Sequence, residues 1–98
     1  LDPPPMTASK DVVAKGSYTF GRYCGVCHGD GAIGGGVVPD LRHSAALGSV
    51  ETWQAIVRDG ALKDQGMIGW GKYLSGDEID AVRHYVISRA HEDKALGE

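Results

Sequence analysis

Soft sulfur and imidazole donors stand side by side at one place in this 98-residue chain, Cys24-Gly25-Val26-Cys27-His28, and these are its only two cysteines. A C-x-x-C-H run is the spacing at which a haem is attached covalently through two thioethers. The spacing has a physical reason. Cysteines three apart occupy neighbouring positions of one helical turn, roughly 5–6 Å apart, so both sulfurs can meet adjacent vinyl groups on a porphyrin edge. His28 follows at once, which carries its imidazole under the ring, where a nitrogen can bind iron. A thioredoxin-like dithiol would want a strand before it and a βαβ pattern around it, and neither is visible. A thiol–disulfide protein without haem remains the colourless alternative.

Iron held by one histidine takes a second ligand or keeps an open position, and that choice separates electron transfer from chemistry on a substrate. The candidates are Met6, Met67, His43, His84 and His91. Met6 follows a run of prolines, ahead of the first helical pattern, and the helical period turns His84 and His91 toward solvent. His43 lies beside Arg42 and would give bis-histidine ligation. Met67 lies between two helical patterns and is flanked by Gly66 and Gly69, which would let backbone approach the ring. Its thioether is a soft ligand that favours reduced iron. Met67 is therefore the expected sixth ligand, its alternative role being that of a core gap-filler. Iron so ligated moves single electrons and offers no vacancy, so the domain itself is not expected to be an enzyme.

The elements that must position these groups read as helices. Thr7 or Ser9 caps a first helix running to about Cys24, with Val12, Val13, Gly16, Phe20 and Tyr23 on its apolar face. Gly16 on that face costs about 1 kcal/mol relative to alanine, which implies another helix crossing closely. Gly29-Asp30-Gly31-Ala32-Ile33-Gly34 matches a dinucleotide fingerprint but follows a helix instead of a strand, so it reads as a loop that hugs a flat ligand. Pro39 starts a short helix or turn. Ser49 caps a helix burying Trp53, Ile56 and Val57, and Asp59-Gly60 stops it. Residues 61 to 74 show no period. Ser75-Gly76-Asp77-Glu78 is a capping box opening the last helix, with Ile79, Val82, Tyr85 and Val86 inward. Asp77, Asp80, His84, Ser88 and His91 fall on its wet side, and the chain is expected to fray after Ala90. No strand is convincing, so the class is all-α.

Composition agrees. One domain of this length has a marginal core, and a buried porphyrin supplies apolar surface that 15 glycines and one phenylalanine do not. The net charge of −3 without a basic block argues against nucleic acid, and no apolar run approaches a membrane span. Residues 1–8 read as a Pro-rich linker or disordered lead-in, 9–92 as the haem domain and 93–98 as a polar tail. The chain begins without an initiating methionine, which is expected of a processed protein or a piece of a longer one.

With these residues in view the chain resembles the class I cytochrome c family over nearly its whole length, through Gly16, Phe20, Cys24 to His28, Pro39, Met67 and Tyr85. The resemblance implies a fold of three to five helices around one covalently bound haem c, with the first and last helices crossing. It also implies that the Pro39 carbonyl accepts the outer proton of His28, fixing its tautomer. More narrowly, residues 35–42, Trp53 with Ile56-Val57, and 59–63 followed by Gly66-Met67 look like the C-terminal haem domain of quinohaemoprotein alcohol dehydrogenases. That likeness implies a pyrroloquinoline-quinone (PQQ) dehydrogenase domain or subunit as electron donor, a downstream redox protein as acceptor, and Arg42 on a haem propionate. Trp53 is held as core. Covalent haem attachment in bacteria occurs outside the inner membrane, so a periplasmic location is expected as a property of the haem class. Two alternatives stay open: a free-standing cytochrome c shuttle, and a haem protein with an open sixth site. Five scattered lysines in an acidic chain disfavour a lysine-steered shuttle of the mitochondrial kind.

Overall fold

Ser9 opens the first helix, α1 (Lys10–Thr19), its hydroxyl accepting from the Val12 amide at 3.3 Å. The computed structural model describes residues 2–32 and 40–97. The expected roles of Pro39 and of the glycines at 34–36 lie outside the described residues.

The helix does not end near Cys24. It passes through a π turn, Phe20–Cys24, into the single turn α2 (Gly25–His28), and the Gly25 amide closes the wider ring on the Phe20 carbonyl. Gly29, at φ 76°, then breaks the path. A π turn inserts one residue into the helical count, so residues after it are rotated on the helix surface relative to those before it. Phe20 and Cys24 are both buried as a result of where the turn sits.

The crossing implied by Gly16 is present. α1 packs against the last helix, α4 (Gly76–Ala95), and a side chain at Gly16 would run into the Ala81 backbone and the Tyr85 Cβ. Phe20 and Tyr85 continue the contact with ring centroids 5.3 Å apart. Val12 differs from expectation. It lies one turn before the crossing and is 36% exposed. Buried Thr19 takes a place on the packed face instead.

Ser49 caps α3 (Val50–Val57) by accepting from the Thr52 amide at 3.1 Å, and Trp53 and Val57 are buried. The Trp53 indole donates to the Ile79 carbonyl at 2.9 Å, tying α3 to α4. The stop at Asp59-Gly60 is as read, with Gly60 at φ 77°. The stretch from 61 to 74 is better organised than its lack of period implies. A 3₁₀ turn at Lys63–Gln65 leads into backbone bonds from Trp70 to the Val57 carbonyl (2.6 Å) and from Gly71 to the Arg58 carbonyl (3.1 Å).

The Ser75 capping box is complete, its hydroxyl accepting from the Glu78 amide and its own amide donating to the Glu78 carboxylate. The wet side assigned to α4 requires correction. The helix is packed by α1 on one flank and by α3 and the 3₁₀ turns at Leu41–His43 and Ala45–Gly48 on others, so more than one face is covered. Ser88 is buried and donates to the Tyr85 carbonyl at 2.8 Å. His84 is largely covered, 3.2 Å from Asp80, and His91 Nε2 lies 2.6 Å from the Pro4 carbonyl. The expected fraying is also replaced by order. The helix runs to Ala95, and Asp93, placed by sequence in a polar tail, is 5% exposed between two arginines. Among the described residues there is no strand, and the all-α reading holds.

Candidate functional site

Between α2, α3, α4 and the 61–74 segment lies a cavity of about 560 Å³, within the usual range for small-molecule and cofactor sites of roughly 300–1,000 Å³. Cys24, Cys27 and His28 line it, having been brought there by the π turn and the single turn that follows. Met67 lines it too, half-buried, so the one segment without helical period and the sulfur–imidazole run share one space. Trp53, Ile56, Val57, Leu62 and Val82 supply apolar wall, while Asp40, Leu41, His43 and Ser44 form a more polar border.

Of the glycines near Met67, Gly66 lines the cavity and Gly69 packs on the chain behind it. Gly66 has open space around it but φ 98°, a left-handed turn that a side chain would strain. A Cβ at Gly69 would lie 2.8 Å from the Arg58 carbonyl oxygen and 2.9 Å from the Gly60 nitrogen. Gly69 therefore lets the segment lie backbone to backbone on the end of α3, and that contact holds Met67 at the cavity.

Electrostatics suit a ligand that takes neutral imidazole and buried sulfur. Burial pushes the His28 imidazole below its ordinary value, favouring the unprotonated ring with a free lone pair. Its Nδ1 is buried with no hydrogen-bond partner among the described residues. Burial, and then the neighbouring Cys27, push the Cys24 thiol up to about 11, while Cys27 is exposed. Among the described residues no group of three or more His, Cys, Asp or Glu side chains could cage a bare metal ion. The donors fit an iron already held within a planar macrocycle, with the apolar wall against its faces.

Of the other candidate ligands only His43 reaches the cavity, with a side chain 59% exposed. Met6 is exposed, His84 is engaged with Asp80, and His91 is engaged with Pro4. The Trp53 indole N–H is committed to Ile79, in keeping with a core role. Arg42 is buried. Its Nε and Nη2 donate to Asp40 at 3.0 and 2.6 Å, and its Nη1 donates to Asp93 at 2.7 Å. That hydrogen bonding holds the Asp40 carboxyl below the usual carboxylate range. Sequence reasoning missed Trp70, a cavity-lining residue whose ring meets Tyr23 at 5.6 Å and Tyr73 at 5.9 Å. Its position three residues after Met67, as one of only two tryptophans, was the available signal.

Comparison with known proteins bears directly on this arrangement. The family model described as cytochrome c oxidase, cbb3-type, subunit III matches residues 11–86. Among curated proteins the chain is 43% identical over 91 residues to quinohemoprotein alcohol dehydrogenase ADH IIB of Pseudomonas putida, covering 93% of the chain and 13% of that protein. It is 37% identical over 89 residues to the dehydrogenase subunit of alcohol dehydrogenase (quinone) of Acetobacter aceti, covering 91% of the chain and 12% of that protein. ADH-IIG of Pseudomonas putida is 31% identical over 96 residues, covering 92% of the chain and 12% of that protein. The chain thus spans about one eighth of the length of these relatives. The sulfur–imidazole run, the all-helical frame and the match over residues 11–86 agree: the chain belongs to the cytochrome c family, is related to the cytochrome region of quinohaemoprotein alcohol dehydrogenases, and takes a covalently bound haem c as its cofactor.

Proposed function

We propose that this domain carries single electrons through one haem c, taking them from a PQQ-dependent alcohol dehydrogenase domain or subunit and passing them to a downstream redox protein in the periplasm. The observation that carries this reading is the shared cavity. Cys24, Cys27, His28 and Met67 come from separated stretches of sequence and line the same apolar space. Cys24 and Cys27 would hold the haem covalently, and His28 and Met67 would bind its iron. The bound group supplies an iron that cycles by one electron between ferric and ferrous states. The chain supplies the rest. His28, kept neutral by burial, presents a nitrogen lone pair, and the Pro39 carbonyl is the acceptor proposed for its Nδ1 proton. Trp53, Val57 and Val82 give the site an apolar wall, which would limit reorganisation when charge changes. Met67, in the segment held by the backbone bonds to Val57 and Arg58, would bind the iron and leave no vacancy for a substrate, so the domain would transfer electrons without catalysing a reaction of its own. Arg42 is assigned to a propionate, a role in which its guanidinium shares its donors with Asp40 and Asp93.

The proposed donor is supported by the relatives, whose names are quinohemoprotein alcohol dehydrogenase and alcohol dehydrogenase (quinone). Rapid mixing of the oxidised, haem-loaded chain with a reduced PQQ alcohol dehydrogenase tests it. Reduction of the chain at a rate that rises with enzyme concentration supports the pairing; reduction only by small chemical reductants overturns it. His43 at the cavity border marks a second ligation scheme. A Met67→Ala variant that stays six-coordinate, and loses that coordination only when His43 is also removed, would assign the ligand to His43.

A further inference from the structure

The last turns of α4 bring one buried carboxylate to two arginines. Asp93 Oδ2 accepts from Arg42 Nη1 at 2.7 Å and from Arg89 Nη2 at 2.9 Å, and its Oδ1 accepts from Arg89 Nη2 at 3.1 Å. Both Asp93 and Arg42 are 5% exposed. Each arginine leads to a different piece of chain beside the cavity. Arg42 belongs to the 3₁₀ turn Leu41–His43 and is bidentate to Asp40, and Asp40, Leu41 and His43 line the cavity. The Arg89 guanidinium lies over Gly31, three residues past His28, so closely that a Cβ there would be 3.1 Å from Nη2 and 3.2 Å from Nε. Gly31 is at φ 69°, so the turn depends on glycine and the guanidinium fills the space a side chain would take.

We propose that Asp93 is a positioning residue for the haem site: through Arg42 it holds the 40–44 border of the cavity, and through Arg89 the turn that follows His28. Neither segment has a long helix of its own to lock it, and the carboxylate supplies the lock from α4. A buried group of this kind is a poor source of net stability, because desolvation offsets its attraction, and losing Asp93 removes the partner that Arg42 and Arg89 share while each keeps its own carboxylate, Asp40 and Glu92. The arrangement therefore specifies position. It has an electrical consequence as well. The Asp93 carboxylate places buried negative charge on Arg42, whose neighbours Asp40, Leu41 and His43 line the cavity, and removing it makes the ferric state harder to hold, so the reduction potential rises.

This rests on the haem reading only for the electrical part, and the test separates the two. Wild type, Asp93→Asn, Asp93→Glu and Arg89→Gln are prepared with haem attached, and amide hydrogen exchange and reduction potential are measured. In Asp93→Asn, exchange at residues 29–32 and 40–44 rises at least tenfold while the α1–α4 crossing around Gly16 and Ala81 keeps its protection, and the potential moves upward. Asp93→Glu returns the potential toward wild type. Arg89→Gln, at a side chain 22% exposed, raises exchange at 29–32 and leaves 40–44 protected; this comparison carries the test should Asp93→Asn fail to fold. Unchanged exchange and potential in Asp93→Asn, equal loss of protection across the whole molecule, or an Asp93→Glu potential as shifted as that of Asn overturns the proposal. A wild-type chain that takes up no haem overturns the electron-transfer reading instead, and leaves the exchange pattern of the clamp to be judged on the chain alone.

Discussion

Replacing Gly16 by alanine separates two opposed effects whose signs differ. On helix propensity alone the substitution stabilises by about 1 kcal/mol. In the fold, the new methyl would overlap the Ala81 carbonyl oxygen and lie 2.6 Å from its carbon and 2.9 Å from the Tyr85 Cβ. Ordinary carbon contacts begin near 3.4 Å, and the obstacle is α4 backbone, which cannot rotate aside as a flexible side chain can. The two helices must part by roughly 1 Å, loosening the Phe20–Tyr85 contact as well. Overpacking of this kind costs about 1–3 kcal/mol, and a backbone clash belongs at the upper end. Subtracting the propensity gain leaves a net loss of about 2 kcal/mol. For a domain of this size that is a fall in Tm of roughly 8–16 °C. Thermal and urea unfolding of the haem-loaded chain, followed by far-ultraviolet circular dichroism, measures it. A Gly16→Ala variant as stable as wild type, or more stable, would refute the close crossing.

Other expectations follow from single groups. In the haem-free chain, iodoacetamide at pH 8 should alkylate exposed Cys27 at least about tenfold faster than Cys24, whose thiol burial pushes up to about 11; equal rates by peptide mass would contradict the burial. Asp40 carries a carboxyl held below its ordinary value chiefly by hydrogen bonding from Arg42. Its stabilising contribution is thus present above the unfolded value of about 3.9 and fades as pH falls through the lower folded one. The urea-stability gap between wild type and Asp40→Asn should be flat from pH 5 to 7 and close below about pH 4; a gap that persists in acid counts against the pairing. Trp53→Phe removes the indole bond to the Ile79 carbonyl and part of the cavity wall, which should cost about 2 kcal/mol in urea unfolding. No loss would mean that this bond contributes nothing.

What could be read from sequence was what depends on a few adjacent residues. The C-x-x-C-H spacing, the caps at Ser9, Ser49 and Ser75, and the stop at Gly60 are local rules, and each appears where the pattern puts it. Gly16 was legible for a different reason: its cost in a helix demands a compensating contact. The misplaced residues depend on neighbours far away in sequence. Ser88 and His84 were assigned to solvent because a single apolar stripe was fitted to α4, whereas the helix is packed from several sides. Asp93 looked like tail because its partners, Arg42 and Arg89, become visible only once the 40–43 turn folds back onto the helix. The π turn at Phe20–Cys24 left no mark in the period, since one extra residue in a turn is set by what the turn packs against. Met67 was singled out by its chemistry and lines the cavity, yet the seat of Gly69 on the end of α3, beside it, was not contained in its own neighbours.

The central claim is that Cys24, Cys27, His28 and Met67 together hold one haem closed to other ligands. Its most direct measurement is the electronic absorption of the chain matured with haem-attachment machinery, alone and with carbon monoxide after reduction, beside the same spectra of Met67→Ala. The account predicts a red protein, heavier by one haem under denaturing mass spectrometry, whose ferrous spectrum carbon monoxide leaves unchanged until Met67 is replaced. A colourless protein, or a wild-type ferrous form that takes carbon monoxide as readily as the variant, would contradict it.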